Sequence, residues 1–188
     1  MKNRKCWWLL PITVFPYAIL FSLATLFLAN RVELFTWIMV LFINDNIFFL
    51  FAVCVLFLGV LSGVLSIVYF VSALRKKWDA LFLAKTAMVI KLVQVPAYIL
   101  IYVLCAALFV SVLFPVSFLL LLLDCYTLYL TGTISVAAGI NAGREGLINR
   151  KQCIWFIILQ FIFCADVFAT IFFYKKLLKA KTIDKDSV

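Results

Sequence analysis

The sequence predicts an all-α integral membrane protein: a compact bundle of about five transmembrane helices with a short interfacial helix. Three observations carry that expectation. Of 188 residues, 68% are apolar and 13% charged, against roughly 45–50% and about 25% in a soluble domain. Mean hydropathy is +1.20. Apolar runs of about 20 residues, enough to cross the bilayer's hydrocarbon as helices, recur along the chain, and Lys and Arg gather in the segments between them.

The first expected span covers residues 7–29, behind Met1-Lys2-Asn3-Arg4-Lys5. Its apolar region is longer than the 7–15 residues of a signal peptide. Phe27 is also a poor residue three before a cut after Ala29, so an uncleaved span is expected. Residues 34–43 are too few to cross before Asn44-Asp45-Asn46, and read as an interfacial or re-entrant helix anchored by Trp37. The second span runs over residues 47–74 and stops at Arg75-Lys76-Lys77. Residues 78–91 are mostly apolar with two lysines. Joined to the third span, 92–114, they make about 37 residues or roughly 55 Å of helix, more than a membrane's thickness. An elbow is therefore expected, with 78–91 interfacial on anionic headgroups and Pro96, which lacks a backbone donor, at the kink.

Pro115 marks a tight turn before the fourth span, 116–140. A fifth follows at 153–174, then a polar tail, 175–188. The chain 1–188 thus reads as a single polytopic membrane domain.

Positive charge sets the expected orientation. With the N-terminus cytoplasmic, Lys2, Arg4, Lys5, Arg75, Lys76, Lys77, Lys85, Lys91, Arg144, Arg150 and Lys151 lie inside, and the outer loops hold only Arg31. Five spans leave Lys175, Lys176, Lys179, Lys181 and Lys185 outside, against the rule. Two arrangements would remove the conflict: an additional crossing near 34–43, or a last segment that enters and leaves on one side. Five spans is the expectation adopted. Trp7, Trp8, Trp78 and Trp155 then lie at the inner interface, and Trp37 and Tyr174 at the outer one.

Composition also excludes chemistry. The chain has no histidine, which removes His-based zinc sites and Ser-His-Asp triads. Its six cysteines form no C-x-x-C pair, and five lie within apolar runs, so neither a disulfide scaffold nor a zinc ribbon is expected. No glycine-rich phosphate loop is present. No catalytic residue, metal or cofactor is expected. The net charge of +9 is explained by topology and implies no nucleic acid.

The stretch Lys77-Trp78-Asp79-Ala80-Leu81, continuing from Ala84-Lys85-Thr86 through Gln94-Val95-Pro96-Ala97-Tyr98, resembles a group of uncharacterised Firmicutes multi-pass membrane proteins. Leu123-Asp124-Cys125 and Gln160-Phe161-Ile162-Phe163-Cys164-Ala165-Asp166-Val167 add to the likeness, which covers about the C-terminal two thirds. The resemblance implies a multi-pass fold in the plasma membrane of a Gram-positive cell, and no mechanism.

Two carboxylates, Asp124 and Asp166, fall inside expected spans, where a charge costs at least about 2.5 kcal/mol and marks a functional candidate. On antiparallel fourth and fifth spans both would lie about 12 Å below the outer boundary, able to share a proton or bind a cation. Asp124, Thr127, Thr131, Ser135, Ala138 and Ala142 fall within an arc of about 80° on the helical wheel. Thr170 follows Asp166 by one turn. Asp124, Asp166, Thr127, Thr131 and Thr170 are thus the candidate ion or proton site, and helix packing competes for the hydroxyl stripe. Gly59-x-x-x-Gly63 with Ser62 and Ser66 predicts a close-packing face, within the bundle in preference to between copies. Lys91 is expected to snorkel to the interface, and Cys125 and Cys164 to be inert core thiols.

These residues suit a small transport or channel-like protein using the Asp pair. The alternative is a non-enzymatic accessory, immunity or sensor subunit whose small-residue faces dock a second copy or another membrane protein. An intramembrane aspartyl hydrolase loses on motifs, since Gly-x-Gly-Asp is absent. The lipid bilayer is the expected partner in every case.

Overall fold

The computed structural model describes residues 9–29, 45–109, 114–162 and 165–186. Its elements are α1 (Leu10–Ala29), α2 (Asp45–Arg75), α3 (Ala80–Phe109), α4 (Phe114–Arg144), α5 (Arg150–Leu159) and α6 (Ala165–Asp186). Among the described residues, three helices are long and apolar enough to cross a membrane, over Val53–Arg75, Ala80–Phe109 and Leu120–Arg144; Leu10–Phe21 of α1 adds a shorter apolar stretch. Large apolar side chains such as Phe57, Tyr102 and Phe172 point outward, while Lys91, Gln94, Asp124 and Asp166 are interior. That inversion suits lipid as the solvent.

The central helix is α4, which packs on α1, α2, α3, α5 and α6. Against α2 the contact is set by glycine. A Cβ on Gly59 would lie 3.0 Å from the Phe15 ring of α1, and one on Gly63 only 2.6 Å from the Tyr126 hydroxyl of α4. That hydroxyl donates to the Gly59 carbonyl at 2.8 Å. One turn further, Ser66 Oγ donates to the Leu130 carbonyl at 3.0 Å. Ser62 is buried on the same face, and its hydroxyl has no hydrogen-bond partner among the described residues.

Two prolines join α1 to α3. Pro16 lacks the N–H that would bond the Ile12 carbonyl four residues back. Gln94 Nε2 supplies that hydrogen bond from α3, at 3.0 Å. In return, the Tyr17 hydroxyl donates to the Val93 carbonyl, one turn before Pro96. Each helix thus satisfies a backbone group near the other's proline.

The expected elbow at 78–91 is absent. Residues 80–91 are the first turns of α3, which continues through Pro96 to Phe109. Leu83, Ala84, Ala87 and Ile90 bury a continuous face in the core, which holds the segment upright in the bundle. Its 30 residues make about 45 Å, and a helix longer than the hydrocarbon is accommodated by tilt or by ends in the headgroups.

The fifth expected span, 153–174, is the second correction. The segment is split into α5 and α6, with turns at residues 160–161 between them. The ten residues of α5 rise about 15 Å, half of a roughly 30 Å hydrocarbon core. The arms fold back on each other: Phe156 stacks on Phe173 with ring centroids 3.8 Å apart, and Lys176 Nζ donates to Gln152 Oε1 at 2.6 Å. Small residues on α4 receive the hairpin. A Cβ on Gly139 would lie 3.0 Å from Phe156, and Gly132 faces Phe161 and the Gln160 carbonyl.

The return of α6 puts the tail beside the cation-rich loops. Lys181 pairs with Asp79 and lies 3.8 Å from Glu145. Glu145 Oε1 in turn accepts the Ala80 N–H that opens α3, at 2.9 Å. Asn141 Nδ2 donates to the Ala73 and Trp78 carbonyls, and Arg144 to Leu74. Residues 175–186 therefore continue α6 as helix, and its cations share one end of the bundle with Arg75, Arg144 and Arg150. Tyr174, expected at the opposite interface, comes back with them. Trp7, Trp8, Trp37 and the expected interfacial helix 34–43 lie outside the described residues.

Two outcomes check this architecture. In a variant lacking the native cysteines, Arg150→Cys and Lys179→Cys are both labelled by a membrane-impermeant maleimide from the same face. Labelling from opposite faces contradicts the hairpin. Gly63→Ala is expected to cost about 1–3 kcal/mol by overpacking. The same change costs less in a Tyr126→Phe background, and unfolding in detergent reads the difference.

Candidate functional site

The interior polar residues converge from α3, α4 and the hairpin. Lys91 lies about 16 Å of helix beyond Ala80, too deep to snorkel, and is 1% exposed. Its ammonium donates to Asp166 Oδ2 at 2.9 Å and to Gln160 Oε1 at 2.5 Å. Asp166 stands in the first turn of α6 and Gln160 ends α5. Both ends of the hairpin tip thus hold one lysine. Thr170 Oγ1 donates to Gln160 Oε1 at 3.1 Å and to the Asp166 carbonyl at 2.7 Å, fixing the tip from within.

Above this pair, Tyr98 extends the cluster toward the opposite end. Its hydroxyl donates to Gln94 Oε1 at 3.1 Å and faces the Thr127 and Thr131 hydroxyls. Those threonines donate to their own helix: Thr127 to the Asp124 carbonyl at 2.8 Å, Thr131 to the Thr127 carbonyl at 3.2 Å. A hydroxyl that donates to its own helix keeps lone pairs that can accept, and the Tyr98 hydroxyl lies against both. Asp124 is buried, 4% exposed, and its Oδ1 has no hydrogen-bond partner among the described residues. Ser135 Oγ and Gln160 Nε2 are also buried without one.

Asp166 is thus held in an ion pair with Lys91, a partner the sequence reading did not give it, and Asp124 lies beside that pair. Asp124 and Asp166 are within electrostatic range, but no hydrogen bond between them is present among the described residues. The hairpin moves Asp166 from the depth a straight span would give it to the middle of the bundle. Thr127, Thr131 and Ser135 share one buried face as the wheel places them. Cys125 is exposed on the apolar exterior, not in the core as expected, and Cys164 lies outside the described residues. Lys91, Tyr98 and Gln160 were missed as site residues. The signal was available for Lys91 once residues 80–109 are taken as one helix, because its depth follows from its position.

Formal charge decides what the cluster can do. One lysine and two aspartates sum to −1 when all are ionised. An uncompensated charge in hydrocarbon costs several kcal/mol, so a proton or a cation must balance it. Among the described residues, no group of three His, Cys, Asp or Glu is placed to hold a metal ion.

A family model, described as a family of unknown function (DUF6652), matches residues 8–179. No curated protein and no solved structure matches the chain.

Breaking the ion pair from one side should be costly. Lys91→Met strands the Asp166 carboxylate and is expected to destabilise by about 3–5 kcal/mol. Adding Asp166→Leu to it removes both charges and recovers most of that loss. Equilibrium unfolding in detergent micelles measures both; a double variant as unstable as the single one contradicts the pairing.

Proposed function

We propose that this chain, which belongs to that family of unknown function, is a small proton- or cation-linked membrane transport protein. Asp124 is its coupling residue. The observation that supports the reading best is the partnerless carboxylate oxygen of Asp124, buried beside an ion pair that already uses the interior's lysine. Thr127, Thr131 and the Tyr98 hydroxyl supply oxygen atoms that can solvate a proton or a small cation there. Non-helical backbone at membrane depth, here the hairpin tip, is tolerated where it is buried in protein or lines a cavity, and broken helices recur at transporter binding sites.

In this reading the cation-rich end faces the cytoplasm of a plasma membrane, since cytoplasmic loops carry the excess of Lys and Arg. Charging or discharging Asp124 changes the field at Lys91–Asp166, and with it the hold of Lys91 on the hairpin tip. Gly146, at φ +72°, precedes α5 and allows the hairpin a pivot that a Cβ would restrict.

Reconstituted proteoliposomes test this. Wild type dissipates an imposed pH, sodium or potassium gradient faster than protein-free liposomes, and Asp124→Asn loses that activity while keeping its fold. Equal flux in wild type and Asp124→Asn sinks the proposal. So does wild-type flux no faster than that of empty liposomes; stable co-purification with another membrane protein would then favour the accessory-subunit reading.

A further inference from the structure

Beside the cation-rich end, α1, α3 and α6 enclose a groove of about 620 Å³. It is separate from the buried polar cluster. Its rim holds Asp79 and Lys85, and its walls descend past Phe82 and Val89 to Val93 on α3, with Leu10 of α1 opposite. Charge at the rim is unbalanced. Asp79 is taken by Lys181, whereas Lys85 is exposed and makes no hydrogen bond or ion pair among the described residues. The two wall threonines turn their hydroxyls inward to their own helices, Thr13 to the Leu9 carbonyl at 2.8 Å and Thr86 to the Phe82 carbonyl at 2.9 Å. Both hydroxyls are therefore already bonded within their own helices.

Depth matches one leaflet. From Lys85 to Val93 the wall runs about 12 Å along α3, close to half of a roughly 30 Å hydrocarbon core. A cation at the headgroup level above an apolar slot of that length has the shape of a lipid site. Anionic lipids concentrate at the leaflet that faces the cation-rich ends of membrane proteins.

We propose that this groove holds one anionic glycerophospholipid, its phosphate on Lys85 and an acyl chain along Val89 and Val93. The bound lipid completes the seam between α1 and α3 where the proteins' own side chains leave it open. This site requires no transport activity, and its test reads binding alone.

The experiment is native mass spectrometry of the full chain in mild detergent, with phosphatidylglycerol or phosphatidylcholine of identical acyl chains added. Wild type retains one phosphatidylglycerol in preference to phosphatidylcholine by about fivefold, the worth of one lysine beside a lipid surface. Lys85→Gln brings the two lipids level, while Lys151→Gln, an exposed cation at the same end, leaves the preference intact. Val89→Trp fills the slot and lowers retention of both lipids. Glycerol phosphate, a headgroup without chains, does not displace the lipid. Equal retention of the two lipids by wild type overturns the proposal. So does a Lys151→Gln effect as large as that of Lys85→Gln, which would make the attraction diffuse. Displacement by glycerol phosphate would also overturn it, assigning the rim to a soluble phosphate.

Discussion

The structure depends on one interaction, the buried ion pair between Lys91 and Asp166. A lone ammonium or carboxylate at mid-membrane is among the most expensive groups a bundle can bury, and the two are tolerable only together. Their partners come from distant parts of the chain, 75 positions apart. Meeting requires that the last apolar segment stop halfway, present Gln160 and Asp166 to the interior at its tip, and return. Straightening that segment into one span would carry Asp166 away from Lys91 and place five tail positions of positive charge, at 175, 176, 179, 181 and 185, on the cation-poor side. Local charge pairing and whole-chain topology therefore favour the same backbone.

Around that pair the packing is built from close approach. Glycines 59 and 63 let Phe15 and Tyr126 lie against α2, and glycines 132 and 139 let the hairpin lie against α4. In lipid, apolar burial gives little drive for helix association, so contact depends on such fit and on interhelical hydrogen bonds. The exchange by which Gln94 bonds the Ile12 carbonyl near Pro16, and Tyr17 the Val93 carbonyl near Pro96, is of the same kind. It ties α1 to the helix that carries Lys91, at the level where the polar cluster begins.

Much of this is legible in the amino-acid order, and the failures have a common cause. Apolar length locates α1 to α4 because a spanning helix needs only its own backbone bonds. The wheel positions of Asp124, Thr127 and Thr131 on one buried face follow from helical periodicity. Hydropathy does not distinguish a 22-residue crossing from two half-depth arms, since both are equally apolar; the break between Leu159 and Ala165 has no Pro or Gly to announce it. The misplaced tail charges were the trace of that break. Lys91 was misjudged for a related reason. A supposed elbow put it at the interface, whereas the apolar face of Leu83, Ala87 and Ile90 runs straight on into the bundle.

The proposed function rests on the charge that the pair leaves over. Lys91 balances Asp166, so Asp124 is the group whose neutralisation needs a proton or cation from outside the fold. The most direct test of the account is a solid-state NMR distance between Lys91 Nζ and Asp166 Cγ, measured in bilayers on selectively labelled protein. A short-range correlation with an ionised Asp166 carboxylate is the predicted result. A Lys91 ammonium with no such correlation, or a protonated Asp166, would contradict the ion pair and the hairpin that depends on it.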